Sequence, residues 1–283
     1  LLEKMRRGDS RSFALYESPK RIMELVDFFI DAGAKCRMCL CNDLTKLHEM
    51  SFRGSPPEVK EQLLANVYQN MIDLAEDSTT KLDTLLGDML QVNYYESCFS
   101  IQRGIGLGFH VAKIDKKLIQ RVLSFPWSEK HYSEAVWGAC DHLSALVKRE
   151  ITMGFIQGSS VQKMARAIDD VMDRGRYNAE RLVRTECKYF SNQGEVMGYK
   201  ENGIEEYQFL GGTEHGGSCT CSELNGRVFR VDEAEAGVNL PPIHPNCLCI
   251  IKAHFKKSIF DKRKGDPLAS NIKFEEWKKK YAS

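Results

Sequence analysis

Cys219-Thr-Cys221, Leu224-Asn-Gly-Arg-Val-Phe229 and Pro241-Pro-Ile-His-Pro-Asn-Cys-Leu-Cys249 all fall between Gly203 and Phe255, where the chain stops reading as helix. Two short cysteine clusters stand on either side of a turn, and the sequence before them reads as scaffold. Thiolate and imidazole are the usual ligands of zinc, and two ligand-bearing loops are the usual way to present them. The candidates are Cys219, Cys221, His244, Cys247 and Cys249, one more than a tetrahedral site takes. Cys-x-Cys is a tighter step than the common Cys-x-x-Cys knuckle, so one of these thiols is expected not to ligate. Buried thiols, or one disulfide closing a small α+β unit with few apolar residues, would account for the same spacing.

Around this stretch the period changes from helix to strand. Tyr207 and Phe209 alternate with Glu206 and Gln208, Phe229 and Val231 with Val228 and Arg230, and Ile251, Ala253 and Phe255 with Ile250, Lys252 and His254. Each pattern is that of a strand with one buried face. A small antiparallel sheet would bring the two cysteine loops together.

Upstream, helices dominate. Ser18-Pro19 starts one that carries Ile22, Leu25, Val26 and Phe29 and stops at Gly33. Cys36-Arg-Met-Cys39-Leu-Cys41, with His48 beyond, is expected as a buried helix edge and not as a metal site. Ser55-Pro56 opens a long amphipathic arm, expected to break once at Ser78-Thr-Thr80. Gly104, Gly106 and Gly108 lack the Lys-Ser/Thr of a phosphate loop and read as a flexible turn. Asp115 caps a short helix, Ser133 the next, Ser159 and Gln162 form a capping box for a third, and a helix from about Asn178 ends at Asn202-Gly203. In that last helix Arg184 pairs with Glu180 four residues before it, whereas Arg184 and Glu186, two apart, do not share a face.

The chain has 283 residues and a formal net charge of +1, so no global basic excess announces nucleic-acid binding. Residues 252–283 carry +6 and the remainder −5, which places the basic character in the tail. No run of apolar residues is long enough for a membrane anchor, and the start lacks the apolar core of a signal peptide. The expectation is a cytoplasmically made chain whose ten cysteines are reduced thiols, with metal as an alternative fate for some of them. The fold class is α+β, in three segments: a helical arm over 1–125, a unit of helices followed by the Cys/His sheet over 126–255, and a basic tail with a C-terminal helix over 256–283.

Arg184-Thr-Glu186 on a helix, the strand Tyr207 to Leu210, Cys221-x-x-Leu224-x-Gly226-x-Val-Phe229 and Pro241-Pro-x-His244-Pro-x-Cys247-x-Cys249 together resemble the head-morphogenesis, or minor capsid, family of tailed bacteriophages, the Mu F-like proteins. The resemblance spans residues 120–255 and departs from the family pattern at Cys219, which is displaced by one position. It implies a structural role: a few copies inside the capsid, associated with the portal protein and with capsid or scaffold proteins, acting in head assembly, DNA packaging or ejection. It also implies host cytoplasm during assembly, contact with phage DNA as a possible partner, and no catalytic constellation. Two other classes are weighed against it. A zinc hydrolase would use Glu186, Glu214 or His215 as base, and a DNA binder would use the basic tail with Phe274, Trp277 and Tyr281. The tail helix is expected to dock on its own domain.

Overall fold

The computed structural model describes residues 15, 22–34, 36–42, 50–128, 131–156, 161–211 and 220–282. Ser18, Pro19, His48, Ser159, Glu214, His215 and Cys219 lie outside them. The chain divides into two compact units, residues 1–77 with 137–176 and residues 78–136 with 177–283.

In the first unit, α1 (Ile22–Asp31) stops at Gly33, whose φ of +61° is the left-handed stop that glycine takes without a Cβ clash. Its Val26 and Phe29 are buried, as is Val59. Asp27 pairs with Lys60 at 2.7 Å. The Cys36–Cys41 stretch is a strand and not a helix edge: β1 (Met38–Asn42) and β2 (Met50–Gly54) form an antiparallel hairpin with Cys39 opposite Arg53. Its period of two puts Cys39 and Cys41 on one face, exposed, with their sulfurs 3.5 Å apart.

Helix α2 (Pro56–Ile105) opens as expected at Ser55-Pro56. Glu58 accepts from the Ser55 N–H at 2.7 Å and from its hydroxyl at 2.8 Å, so the first donor outside the helix is satisfied. The expected break at Ser78–Thr80 does not occur, and the helix runs unbroken. Serine and threonine cost only tenths of a kcal/mol in a helix, about 0.5 each, and Leu82, Leu86 and Leu90 one turn on are buried, so packing overrides propensity. Gly104 lies within the helix and Gly106, at φ +77°, ends it, which replaces the flexible turn with a helix stop followed by β3 (Leu107–Gly108).

In the second unit Asp115 caps α3 (Lys116–Leu123) through the Lys117 N–H. Helix α4 (Tyr132–Ile156) begins one residue before Ser133. Its cap is His131, whose Nδ1 accepts from the Ser133 N–H at 3.2 Å and whose Nε2 meets the Leu123 carbonyl at 2.7 Å. Helix α5 (Val161–Asn202) is one helix where two were expected. Gly175 is tolerated inside it at a cost of about 1 kcal/mol. It ends at Gly203, φ +73°.

Helices α2 and α5 cross closely. A Cβ on Gly194 would lie 2.5 Å from the Leu90 carbonyl oxygen, and one on Gly198 would lie 2.6 Å from the Ser97 side chain, so both positions require glycine for the approach. Next comes the sheet, ordered β5-β4-β6 with β4 (Glu206–Leu210) central and both neighbours antiparallel. The flanking strands are β5 (Val228–Arg230) and β6 (Ile250–His254). The expected alternation holds: Tyr207, Phe209 and Ile251 point inward and are buried. Tyr207 and Ile251 join Ile101 of α2 and Val196 and Tyr199 of α5 in one core. A two-residue strand β7 (Asp266–Pro267) pairs with β3. The chain closes with α7 (Phe274–Tyr281), whose Trp277 and Tyr281 are buried against Tyr94, Tyr95, Cys98 and Val111. The tail helix therefore packs within its own unit.

Candidate metal centre

Helix α6 (Thr220–Leu224) is a single turn that carries Cys221. The loop running into β6 carries Cys247 and Cys249. Antiparallel pairing of β4 with both β5 and β6 draws these segments to one end of the sheet, over the fully buried Phe209 ring. Leu224, Phe229 and Ile243 pack around them. The turn before β5 is fixed by the Gly226 N–H to the Phe209 carbonyl at 2.8 Å and by the Gly211 N–H to Asn225 Oδ1 at 3.0 Å.

The three sulfurs lie within 4.8 Å of one another, all buried. The Cys221 and Cys247 sulfurs are 3.8 Å apart, far beyond the S–S bond length of about 2.05 Å, so they form no disulfide. Zinc–sulfur bonds of about 2.3 Å place two thiolates of a tetrahedron about 3.8 Å apart, so the donor set fits zinc. Burial pushes the Cys247 thiol up. The Ile243 and Cys249 peptide groups and the Cys249 and Cys221 side chains outweigh it and hold the thiol below its usual range.

Of the five residues anticipated as ligands, Cys221, Cys247 and Cys249 converge and His244 does not join that group. Cys219 lies outside the described residues. The half-buried His244 donates from Nδ1 to the Pro245 carbonyl at 2.8 Å. That tautomer leaves Nε2 as its ligand atom.

The Arg184–Glu186 motif supports this centre through the residue between. Thr185 Oγ1 accepts from the Asn246 N–H at 3.0 Å and donates to the Arg181 carbonyl at 2.7 Å. Asn246 sits at φ +61°, a region that asparagine tolerates better than most residues. Two turns along α5, the buried Asn192 donates from Nδ2 to the Pro241 carbonyl at 3.1 Å. Thr185 and Asn192 thus clasp the thiol loop at both ends. Neither stands out in the sequence as a site residue, and the available signal is their spacing of two helical turns on one face.

Arg184 is exposed and reaches Glu180 at 3.8 Å, the expected surface pair. Glu186 turns inward, buried, and accepts from Trp127 Nε1 at 2.9 Å. Burial pushes its carboxyl up, against the pull of the Trp127 bond and of His131. Trp127 in turn stacks on Tyr189 with centroids 5.1 Å apart.

Residues 145–252 match the family model described as Phage Mu protein F like protein, the family that the motifs resemble. The span contains both the Arg184–Glu186 helix and the thiol loop. Among curated proteins, the chain is 25% identical over 144 residues to the NAD(+)–arginine ADP-ribosyltransferase EFV of Enterococcus faecalis (strain ATCC 700802 / V583), covering 50% of this chain and 30% of that protein. It is 34% identical over 56 residues to the ribosomal RNA small subunit methyltransferase I of Hydrogenobaculum sp. (strain Y04AAS1), covering 20% of this chain and 24% of that protein. The chain thus spans less than a third of either relative. No solved structure matches.

Proposed function

We propose that this chain is a phage head-morphogenesis protein. It acts as a non-enzymatic minor component inside the capsid, bound to the portal and to capsid or scaffold proteins, in assembly and in DNA packaging or ejection. The observation that carries this reading is the family match over 145–252, whose two most specific motifs are joined by the Thr185–Asn246 hydrogen bond. No helix among the described residues is long and apolar enough to cross a membrane.

In this reading Cys221, Cys247 and Cys249 hold one structural zinc ion, with His244 or Cys219 as the fourth ligand. The ion supplies a cross-link between α6 and the loop into β6. Three thiolates donate enough charge to blunt the acidity of any bound water, which speaks against hydrolysis. The activities of the two partial relatives are not carried over, because less than a third of each is matched. The test is to tag the chain in a phage-producing lysate and separate heads from free protein. Co-sedimentation with portal protein, and heads that are empty or missing when Cys221→Ser is introduced, are expected. A chain that stays in the soluble fraction while normal heads form would sink the proposal.

A further inference from the structure

A cavity of about 420 Å³ lies where α2, α5 and β6 meet, and none of its lining residues is one of the three thiols. Its floor is apolar: Ile101, Tyr199 and Ile251 are buried and Phe255 is partly so. Its polar wall carries two carboxylates, the exposed Glu96 and the half-buried Glu195, against one ammonium, Lys252. Glu195 is held in place because its Oε2 accepts from the Tyr199 hydroxyl at 3.0 Å and its backbone carbonyl from Ser97 Oγ at 3.3 Å.

Burial pushes the Glu195 carboxyl up, and the charge of Glu96 acts in the same direction, against the Tyr199 bond and Lys188. By count, the lining sets two carboxylates against the one ammonium of Lys252, with Lys188 acting on Glu195 from outside the lining. An apolar floor with a fixed anionic wall suits an aliphatic stem that ends in a cation.

We propose that this cavity receives one lysine or arginine side chain of an assembly partner, with Glu195 and Glu96 as its counter-charges and Tyr199, Ile101 and Phe255 along its stem. The identity of the partner rests on the proposed role in head assembly. The cation site itself does not.

The probes are Nα-acetyl-arginine methylamide, its lysine and norleucine counterparts, and putrescine, titrated into the full chain and followed by amide chemical shifts. The arginine or lysine probe is expected to bind with a Kd of about 1 mM at low salt and to shift residues 93–104 and 251–255. The uncharged norleucine probe should bind at least about tenfold more weakly. Glu195→Gln keeps an acceptor for Tyr199, and Glu96→Gln changes only an exposed rim residue. Each should weaken the cationic probes about fivefold or more without altering the melt. Absence of shifts at these residues, or binding indifferent to both variants, would overturn the proposal. Putrescine binding more tightly than either side-chain probe would overturn it in favour of a free diamine. Head assembly plays no part in the readout, so a chain that binds the arginine probe but never enters a head would defeat the proposed function alone.

Discussion

Within the second unit three thiols meet over Phe209 at one end of the sheet, and Trp277 and Tyr281 sink against Tyr94 and Tyr95 of α2. Both closures bring a late segment back onto earlier structure, yet they draw on different physics. The aromatic end buries large rings, and Gln102 completes it: its Oε1 accepts from Trp277 Nε1 at 2.8 Å and from the Phe109 N–H at 3.1 Å, while its Nε2 donates to the Phe109 carbonyl at 3.0 Å. Arg263 adds a strap over the Phe109 ring at 4.0 Å and donates to the Asn202 carbonyl at 2.8 Å. That end is held by area and by satisfied polar groups. The thiol end has a five-residue helix, a turn and few apolar neighbours, so under the proposed zinc site its stability would come mainly from the metal.

With the proposed zinc in place, chelation is expected to separate the two ends most strongly, because zinc affinity in such a site would be folding energy of about 10 kcal/mol or more. Amide hydrogen exchange with and without a zinc chelator should show loss of protection over residues 220–254, while residues 274–282 stay protected. Equal loss at both ends would mean that the closures are not independent.

Truncating the aromatic end is the next largest effect. Trp277→Ala removes a fully buried ring and one of the two donors to Gln102 Oε1, and it should cost about 3–5 kcal/mol in denaturant unfolding. Zinc retention by that variant below its melting point would sharpen the contrast, and loss of zinc on mutation would erase it.

A smaller effect is expected at the clasp. Thr185→Val leaves the Asn246 N–H without its acceptor and should cost about 1–2 kcal/mol. The loss should appear as faster metal release to a chelator, with no change in protection of α7. An unchanged release rate would remove Thr185 from the account.

The smallest effect is electrostatic. Glu186 has its carboxyl raised in the fold, chiefly by burial. Its contribution to stability is therefore fully present below the ordinary carboxylate pKa and is lost as pH rises through the raised value. Glu186→Gln keeps an acceptor for Trp127 and removes the buried charge. It should raise Tm by about 2 °C at pH near 8, well above the ordinary carboxylate range, and by less at pH near 4.5. A Tm that drops at both pH values would show that the ionised form is needed.

The legible parts of this molecule are those where local chemistry and tertiary structure agree. Tyr207, Phe209 and Ile251 alternate because one face of the sheet is buried, and Gly33 and Gly203 stop helices because their backbone is left-handed. Residue type offered Cys221, Cys247 and Cys249 among five candidates, of which His244 does not join them. The rest depended on long-range contacts. Nothing local says that α2 continues through Ser78–Thr80 or that α5 passes Gly175. In the same way, α4 is capped by His131 because the Leu123 carbonyl holds the ring, a contact that spacing does not reveal. Thr185 lay inside a recognised motif, but its role appears only when Asn246, distant in sequence, comes within hydrogen-bond reach.

A structural zinc held by the three thiols is the proposal with the sharpest test. The most direct measurement is elemental analysis of the full chain purified without chelator, joined to zinc X-ray absorption. The expected result is about one zinc per chain with at least three sulfur ligands at about 2.3 Å. Metal-free protein whose melting is unaffected by chelator, with Cys221, Cys247 and Cys249 open to thiol reagents only on unfolding, would contradict it and leave a plain buried thiol core.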